Sequence, residues 1–468
     1  MPTFRLILLL LFASCAPTRA LRPGEVRVVG LAEPGQVRLD DGRVLPLEGL
    51  STPKEWWGSL EEIDPKLVAG IWKAEPVEVS SISEESCERW RLQREGEWLS
   101  TRLVRAGSAL ASFRSHDVVE KDLAFERLLL ATRSAQERRV GPWRALPVDA
   151  RRIPDSIASV ALPLHSKEAD YDYDRELTEI AALGASWVSL LVVTRQDRVD
   201  SSSIPLESAW TPADERVVET IERSKALGLR VLLMPLVLIE HMEPEDWRGT
   251  LAPKDPESWW QDYEIYLQHM ADVAHRGGAD ALCIGSEFAS LELETSRWAG
   301  IAERVRLRFG GLLTYSANWD HFDEIAFWPH LDFAGMTAYF ELSESESPSF
   351  DELVEGWRHA LAEVERLNRV SQQPVFLTEV GIPSARGATA WPWDYTREAA
   401  ADPELQREAF AAFAQVFYPR ERPAFSGFLG QCFYDWWGLG GEDDTGYTAR
   451  HKPAAEVWRE VAGLTRSD

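Results

Sequence analysis

The run Ala281-Leu282-Cys283-Ile284-Gly285-Ser286-Glu287 decides how this chain is read. It is apolar without alternation until its last two residues, as a strand buried on both faces would be, and it stops on a carboxylate. Seven further runs of the same texture flank it, at residues 157–164, 187–193, 230–236, 311–316, 332–338, 375–378 and 427–433. Amphipathic stretches lie between them, at 175–183, 214–227, 259–276, 292–309, 350–370 and 404–417. Two of these stretches carry start signals. Thr211-Pro212 puts a hydroxyl at an N-cap and proline at the first helical position. Ser349-Phe350-Asp351-Glu352 has the capping-box spacing. Eight buried strands interleaved with helices over roughly 300 residues fit a (β/α)8 TIM barrel. The rival is a doubly wound open sheet. It wants a glycine-rich turn after its first strand, and Leu164-His165-Ser166-Lys167 is not one.

A barrel of this kind does its chemistry where the strands end. The seventh run closes on Phe376-Leu377-Thr378-Glu379, as the fourth closes on Glu287. Either glutamate alone reads equally well as a solvated loop residue or a helix cap. Strands four and seven lie three steps apart around an eight-strand ring, so the two carboxylates face each other across its mouth. Glycoside cleavage needs such a pair, one carboxyl protonating the leaving oxygen while the other attacks or stabilises the sugar carbon. A separation of about 5 Å gives retention and roughly 6.5–9.5 Å gives inversion. Both remain open at this level.

The composition narrows the partners. A formal net charge of −26 opposes nucleic acid, whose phosphates need a basic surface. The 20 tryptophans exceed what a core requires and suit flat faces that stack on sugar rings. Cys15, Cys87, Cys283 and Cys432 form neither a zinc spacing nor a disulfide framework, and the 9 histidines are dispersed, so no metal or cofactor is expected. Cys283 and Cys432 sit in apolar runs, as buried thiols do.

The chain divides into three. Residues 1–20 read as an export leader: Arg5 supplies positive charge and residues 6–12 an apolar run too short to span a bilayer. Thr18-Arg19-Ala20 offers an ordinary cleavage site, while Phe12-Ala13-Ser14-Cys15 resembles a lipobox with lipidation at Cys15, the reading favoured here. The product is then an exported or cell-envelope protein that meets the membrane only through that anchor. Residues 24–146 form a β-rich unit with short strands at 25–29, 36–39, 43–47 and 77–79. A helix at 123–138 then stops at Gly141-Pro142. The barrel takes residues 155–464.

From about residue 163 to residue 461 the chain resembles glycoside hydrolase family 113, retaining-clan barrel enzymes active mainly on β-1,4-mannan. The resemblance runs through Trp247-Arg248-Gly249, Trp259-Trp260-x-x-Tyr263, Ile284-Gly285-Ser286-Glu287 and Leu313-Thr314-Tyr315-Ser316-Ala317-Asn318-Trp319. It continues through Ala338-Tyr339-Phe340, Leu377-Thr378-Glu379-Val380-Gly381, Trp391-Pro392-Trp393, Tyr434-Asp435-Trp436-Trp437 and Lys452-Pro453-Ala454. It implies that Glu287 is the acid/base and Glu379 the nucleophile. Many clan members have asparagine before the acid/base, where this chain has Ser286. By position, Tyr339 either donates to Glu379 or packs with a wet tip. Asn318 and Trp319 either contact sugar hydroxyls or make a loop turn. Trp436 or Trp437 is the platform beneath the cleaved sugar. Trp391 and Trp393 line subsites or pin their loop, and Trp247 and Arg248 suit sugar binding.

The amino-terminal unit resembles the staphylococcal-nuclease-like domain, an OB-type β-barrel with trailing helices. Asp41-Gly42-Arg43, Gly49-Leu50-Ser51-Thr52-Pro53, residues 99–107 and Gly141-Pro142-Trp143 carry that resemblance. The family's metal-binding Asp-Gly-Asp-Thr is Glu33-Pro34-Gly35-Gln36 here, and its flanking arginine and aspartate are Pro46 and Ser51. The resemblance therefore implies an inactive accessory domain. The expectation is a monomeric, cofactor-free hydrolase of β-linked polysaccharide, most specifically endo-β-1,4-mannan, working by double displacement. The alternative is an inactive cell-surface carbohydrate-binding protein, which typically loses one carboxylate where this chain keeps both. An exported nuclease is opposed by the acidity and the degraded motif.

Overall fold

The computed structural model describes residues 21–33, 36–47, 50–51, 67–77, 89–111, 123–141, 143, 150–164, 171–206, 209–419, 427–438 and 440–465. The leader with Cys15, and Cys87, lie outside these. The amino-terminal unit carries β1 (Glu25–Glu33), β2 (Gln36–Leu39), β3 (Val44–Pro46), β4 (Leu50–Ser51), β5 (Gly70–Val77), β6 (Arg89–Arg94) and β7 (Glu97–Trp98). Then come α1 (Leu99–Arg105), β8 (Leu110–Ala111) and α2 (Leu123–Arg138). The sheet runs β3-β2-β1-β5-β6-β7, antiparallel throughout. A parallel bridge from Leu47 to Trp90 brings the end of β3 against β6. Val28, Val37, Trp72 and Leu92 fill the inside, and α1 covers it with Leu99 and Leu103. Of the fourth expected strand, 77–79, only Val77 is described, as the last residue of β5, and residues 78–79 lie outside the described set.

The barrel consists of β9 (Ile157–Pro163), α3 (Asp174–Leu183), β10 (Trp187–Gln196), α4 (Asp214–Ala226), β11 (Arg230–Ile239), α5 (Pro256–Gly277) and β12 (Ala281–Ser286). It continues with α6 (Thr295–Arg306), β13 (Leu312–Ala317), β14 (Ala334–Ala338), α7 (Phe350–Ser371), β15 (Val375–Val380), α8 (Pro403–Phe417), β16 (Phe428–Phe433) and α9 (Ala454–Thr465). Each strand pairs in parallel with the next and β16 closes on β9, so the eight apolar runs are the eight staves. All six residues of β12 are buried. Period two divides each strand between two cores. Ile157, Trp187, Leu191, Met234, Cys283, Phe333, Phe376 and Cys432 fill the lumen, while Val188, Leu190, Leu233, Ile284 and Leu377 face the helices. Burial pushes both thiols up to about 12, so they stay neutral filler.

Local chemistry sets the helix ends. Ser349 caps α7 through a complete capping box with Glu352. Asp255 accepts from Ser258 N–H to start α5, and Gly278, at φ 73°, ends it in the left-handed conformation that glycine adopts without strain. The expected cap at Thr211 is not used. Its hydroxyl donates to Val193 O at 2.9 Å, and α4 starts three residues later behind Ala213. There Asp214 and Glu215 meet the positive end of the helix.

The amino-terminal unit docks on the end of the barrel opposite the mouth. Leu307, just past α6, joins the core that α2 shares through Leu128. Gln136 donates to Arg306 O at 2.9 Å, and Trp143 meets the His275 ring edge-on at 4.8 Å near the end of α5. Among the described residues no helix is long and apolar enough to cross a membrane.

Candidate active site

Two register slips aim the carboxylates. Cys283 pairs with Thr314 but Ser286 pairs with Ser316, so β12 carries one residue more than β13 over that span. Gly285 occupies the bulge. A Cβ there would lie 2.8 Å from both Trp298 Cη2 and Tyr315 Cε2, so only glycine fits. Glu287 follows at φ 55°, in the left-handed region, with its N–H donating to Ser316 O at 2.8 Å. In β15, Met336 pairs with Leu377 and Thr337 pairs with Glu379, so Thr378 is the extra residue. The bulge turns neighbouring side chains to one face. Thr378 reaches Ser316 Oγ at 2.5 Å inside the barrel, and Glu379 reaches Tyr339.

A buried network holds the strained turn at Glu287. Phe288 N–H donates to the Tyr315 hydroxyl at 2.9 Å, and that hydroxyl donates to Glu292 Oε1 at 2.6 Å. Glu292 Oε2 meets His321 Nδ1 at 3.0 Å. A non-glycine residue keeps a positive φ only where its surroundings over-determine it, and these bonds do so. Tyr315→Phe orphans the Phe288 N–H, which is expected to cost about 1–3 kcal/mol in a thermal melt. Loosening the turn that carries Glu287 is expected to lower kcat by about tenfold in steady-state assays. An unchanged kcat beside a lowered melting point would confine Tyr315 to the fold.

Glu287 and Glu379 are 7% and 3% exposed and share one cation. Arg248 Nη2 lies 2.5 Å from Glu287 Oε2 and 3.9 Å from Glu379 Oε1. The Tyr339 hydroxyl donates to Glu379 Oε2 at 2.5 Å. Rings of Tyr434 and Tyr447 close around Tyr339, with centroids 6.2 and 5.7 Å away. Burial pushes the Glu379 carboxyl up to about 7. Arg248 opposes that rise, the Glu287 charge reinforces it, and the Tyr339 hydrogen bond opposes it. Burial works against the Arg248 charge too, but the two carboxylates outweigh it and keep the guanidinium protonated. Tyr339 is held well above its ordinary value by burial and the facing carboxylate, so it acts only as a donor.

Arg248→Met removes the cation that favours the ionised form of Glu379. The carboxyl then titrates higher, and the acid limb of kcat/KM is expected to move up by on the order of one pH unit. Arg248→Lys keeps the charge without the fork and is expected to shift less. A pH profile that does not move would remove Arg248 from this role.

The other residues singled out from the sequence spread over the rim. Trp247 folds its ring back over Gly249. Asn318 makes an antiparallel bridge with His321, and Trp319 packs on Phe340 with centroids 5.2 Å apart. Trp391 is buried under the Arg397 guanidinium, which pins its loop, whereas Trp393 is 52% exposed and donates to Glu341 at 3.2 Å. Trp436 is buried with its backbone N–H on Ala161 O. Trp437 is half-buried and lies edge-on to Tyr171. Ser286 is buried beside Glu287, and its Oγ has no protein partner. Among the described residues no cluster of His, Cys, Asp or Glu is placed to hold a metal ion.

The model of glycoside hydrolase family 113 matches residues 165–441, more than half of the chain. The chain belongs to glycoside hydrolase family 113. Solved structures agree on the fold. The family 113 β-mannanase AaManA from Alicyclobacillus acidocaldarius superposes with a TM-score of 0.59 at 24% identity, covering 68% of this chain and 100% of that one. Two structures of a family 113 β-1,4-mannanase superpose with TM-scores of 0.57 at 20% and 21% identity, each covering 67% of this chain and 100% of its own. Among curated proteins no relative matches the chain. The family 113 barrel with its paired glutamates is thus a glycoside hydrolase. Tyr447, Glu292 and the network through Tyr315 do not stand out as site residues in the sequence. The one signal for Tyr447 was an aromatic in the loop after the last strand, and for Glu292 a carboxylate close behind Glu287.

Proposed function

We propose that this family 113 enzyme cleaves β-1,4-mannan internally, with retention of configuration. The observation that carries retention is the shared guanidinium. Two carboxylate oxygens at 2.5 and 3.9 Å from one nitrogen stand no farther apart than the sum of those distances. One guanidinium thus reaches both carboxylates, an arrangement compatible with the close spacing of about 5 Å that retention uses. Glu379, with one oxygen held by Tyr339, presents Oε1 to the anomeric carbon as the nucleophile. Glu287 protonates the departing oxygen and then takes a proton from the incoming water. In the free enzyme Arg248 pairs with Glu287, so it must release that carboxylate when the acid carries its proton. Mannan as substrate rests on kinship, because the three matched structures are of enzymes described as β-mannanases. Export through residues 1–20, with lipid at Cys15, would place the enzyme where such polymers are met.

The test is proton NMR of the earliest products from a β-mannan. Appearance of the β-anomer before mutarotation supports double displacement. The α-anomer appearing first would sink it. A spread of internal fragments supports endo action, whereas a single short product released from the start would contradict it.

A further inference from the structure

The barrel holds a second concavity at the ends of two of its strands. A cavity of about 420 Å³ lies where β10 and β11 end, lined by Arg195, Asp197, Ile204, Pro205, Trp210 and Glu240 among others. That volume falls within the roughly 300–1,000 Å³ of small-molecule sites. Strand alternation decides which way it opens. Trp187, Leu191 and Val193 of β10 point into the lumen, as do Leu232, Met234 and Leu236 of β11. Arg195 pairs with Leu238 in the same register, so Arg195, Asp197 and Glu240 continue those inward rows above the packed layers. The cavity therefore opens on the catalytic face. It shares a loop with the site, since Glu240 begins the segment along which Arg248 reaches Glu287.

Its chemistry is specific. The Arg195 guanidinium lies 4.8 Å above the Trp210 ring, 3.4 Å from Glu240 Oε2, and donates to Ile239 O at 3.3 Å. Asp197 meets His241 Nδ1 at 2.8 Å. Ile204 and Pro205 add an apolar wall. A rigid aromatic and aliphatic surface with oriented carboxylates and one fixed guanidinium suits the apolar faces and hydroxyls of a sugar ring. The carboxylates of Asp197 and Glu240 outnumber the one arginine in the lining, which already meets Glu240, so an anionic ligand is disfavoured.

We infer that this cavity is a remote subsite for one neutral sugar unit of the glycan whose scissile bond lies between Glu287 and Glu379. The inference rests on the polysaccharide-hydrolase reading above. The test is kcat/KM along a ladder of β-1,4-manno-oligosaccharides, read as the ratio of the longest to the shortest cleaved member. In the wild type that ratio rises with length, and in Trp210→Ala and in the near-isosteric Glu240→Gln it falls at least about fivefold. Equal melting points keep misfolding out of the comparison. A ratio unchanged in both variants, or a wild type indifferent to chain length, overturns the subsite while leaving the hydrolase intact. A wild type that cleaves no β-linked oligomer sinks the hydrolase reading and the subsite together.

Discussion

Replacing Glu379 by glutamine is expected to abolish hydrolysis while making the protein more stable at neutral pH. The loss follows from the removal of the proposed nucleophile, and groups of that kind cost on the order of 10⁴-fold or more in kcat. The gain follows from the same burial that suits the residue to its task. Glu379 is 3% exposed, and its carboxyl is raised from an ordinary 4.5 to about 7, burial being the largest cause. Because the folded value lies above the unfolded one, the folded state holds the proton more tightly. Relative stability is then greatest below pH 4.5, where the carboxyl is neutral in both states, and declines as pH rises through about 7. Above that, the buried charge costs about 3 kcal/mol, a cost the neutral amide does not carry.

Melting curves of wild type and Glu379→Gln therefore diverge in a defined way. At pH 8 the variant should melt a few degrees higher, and at pH 4 the two should nearly coincide. A variant that melts lower at pH 8 would mean that the Arg248 and Tyr339 contacts outweigh the burial cost. A variant that hydrolyses mannan at a near-normal rate would dismiss Glu379 as the nucleophile.

The barrel was legible because parallel strands covered on both sides leave an unmistakable trace, and the run Ala281–Ser286 has the same limits in sequence and structure. So does the amino-terminal helix Leu123–Arg138. The last helix, Ala454–Thr465, was overlooked although Trp458, Val461 and Ala462 give it an apolar face and Pro453 precedes its start. What the pattern did not carry was everything that depends on contacts between distant segments. Gly285 reads as an ordinary small residue until Trp298 and Tyr315 are seen against it. Arg248 reads as a sugar contact in a loop, because nothing in its own segment says that Glu287 will be its partner. Glu292 reads as the first residue of a helix. The helix begins instead at Thr295, since the Glu292 carboxylate turns inward to Tyr315 and His321. Trp391 left two readings open, and only the Arg397 guanidinium over its ring shows that it pins its loop.

Glu287→Gln separates the two carboxylates by their work. Loss of a general acid costs about 10²–10⁴-fold, but only where the leaving group needs a proton. Mannan and manno-oligosaccharides leave as poor, alkoxide-like groups and are expected to show the full loss. An aryl β-mannoside with an acidic phenol departs without help, so formation of its glycosyl-enzyme intermediate should be far less affected. The second step still needs Glu287 to take a proton from water, so the intermediate should accumulate and product should appear as a burst followed by a slow phase. The same variant leaves Arg248 without its 2.5 Å partner, and the guanidinium is then free to move onto Glu379 Oε1, now 3.9 Å away. That shift lowers the Glu379 carboxyl, so the acid limb for the activated substrate is expected to move to lower pH than in the wild type. Equal losses on both substrates, with no burst, would reassign Glu287 from acid/base to a residue that only orders the site.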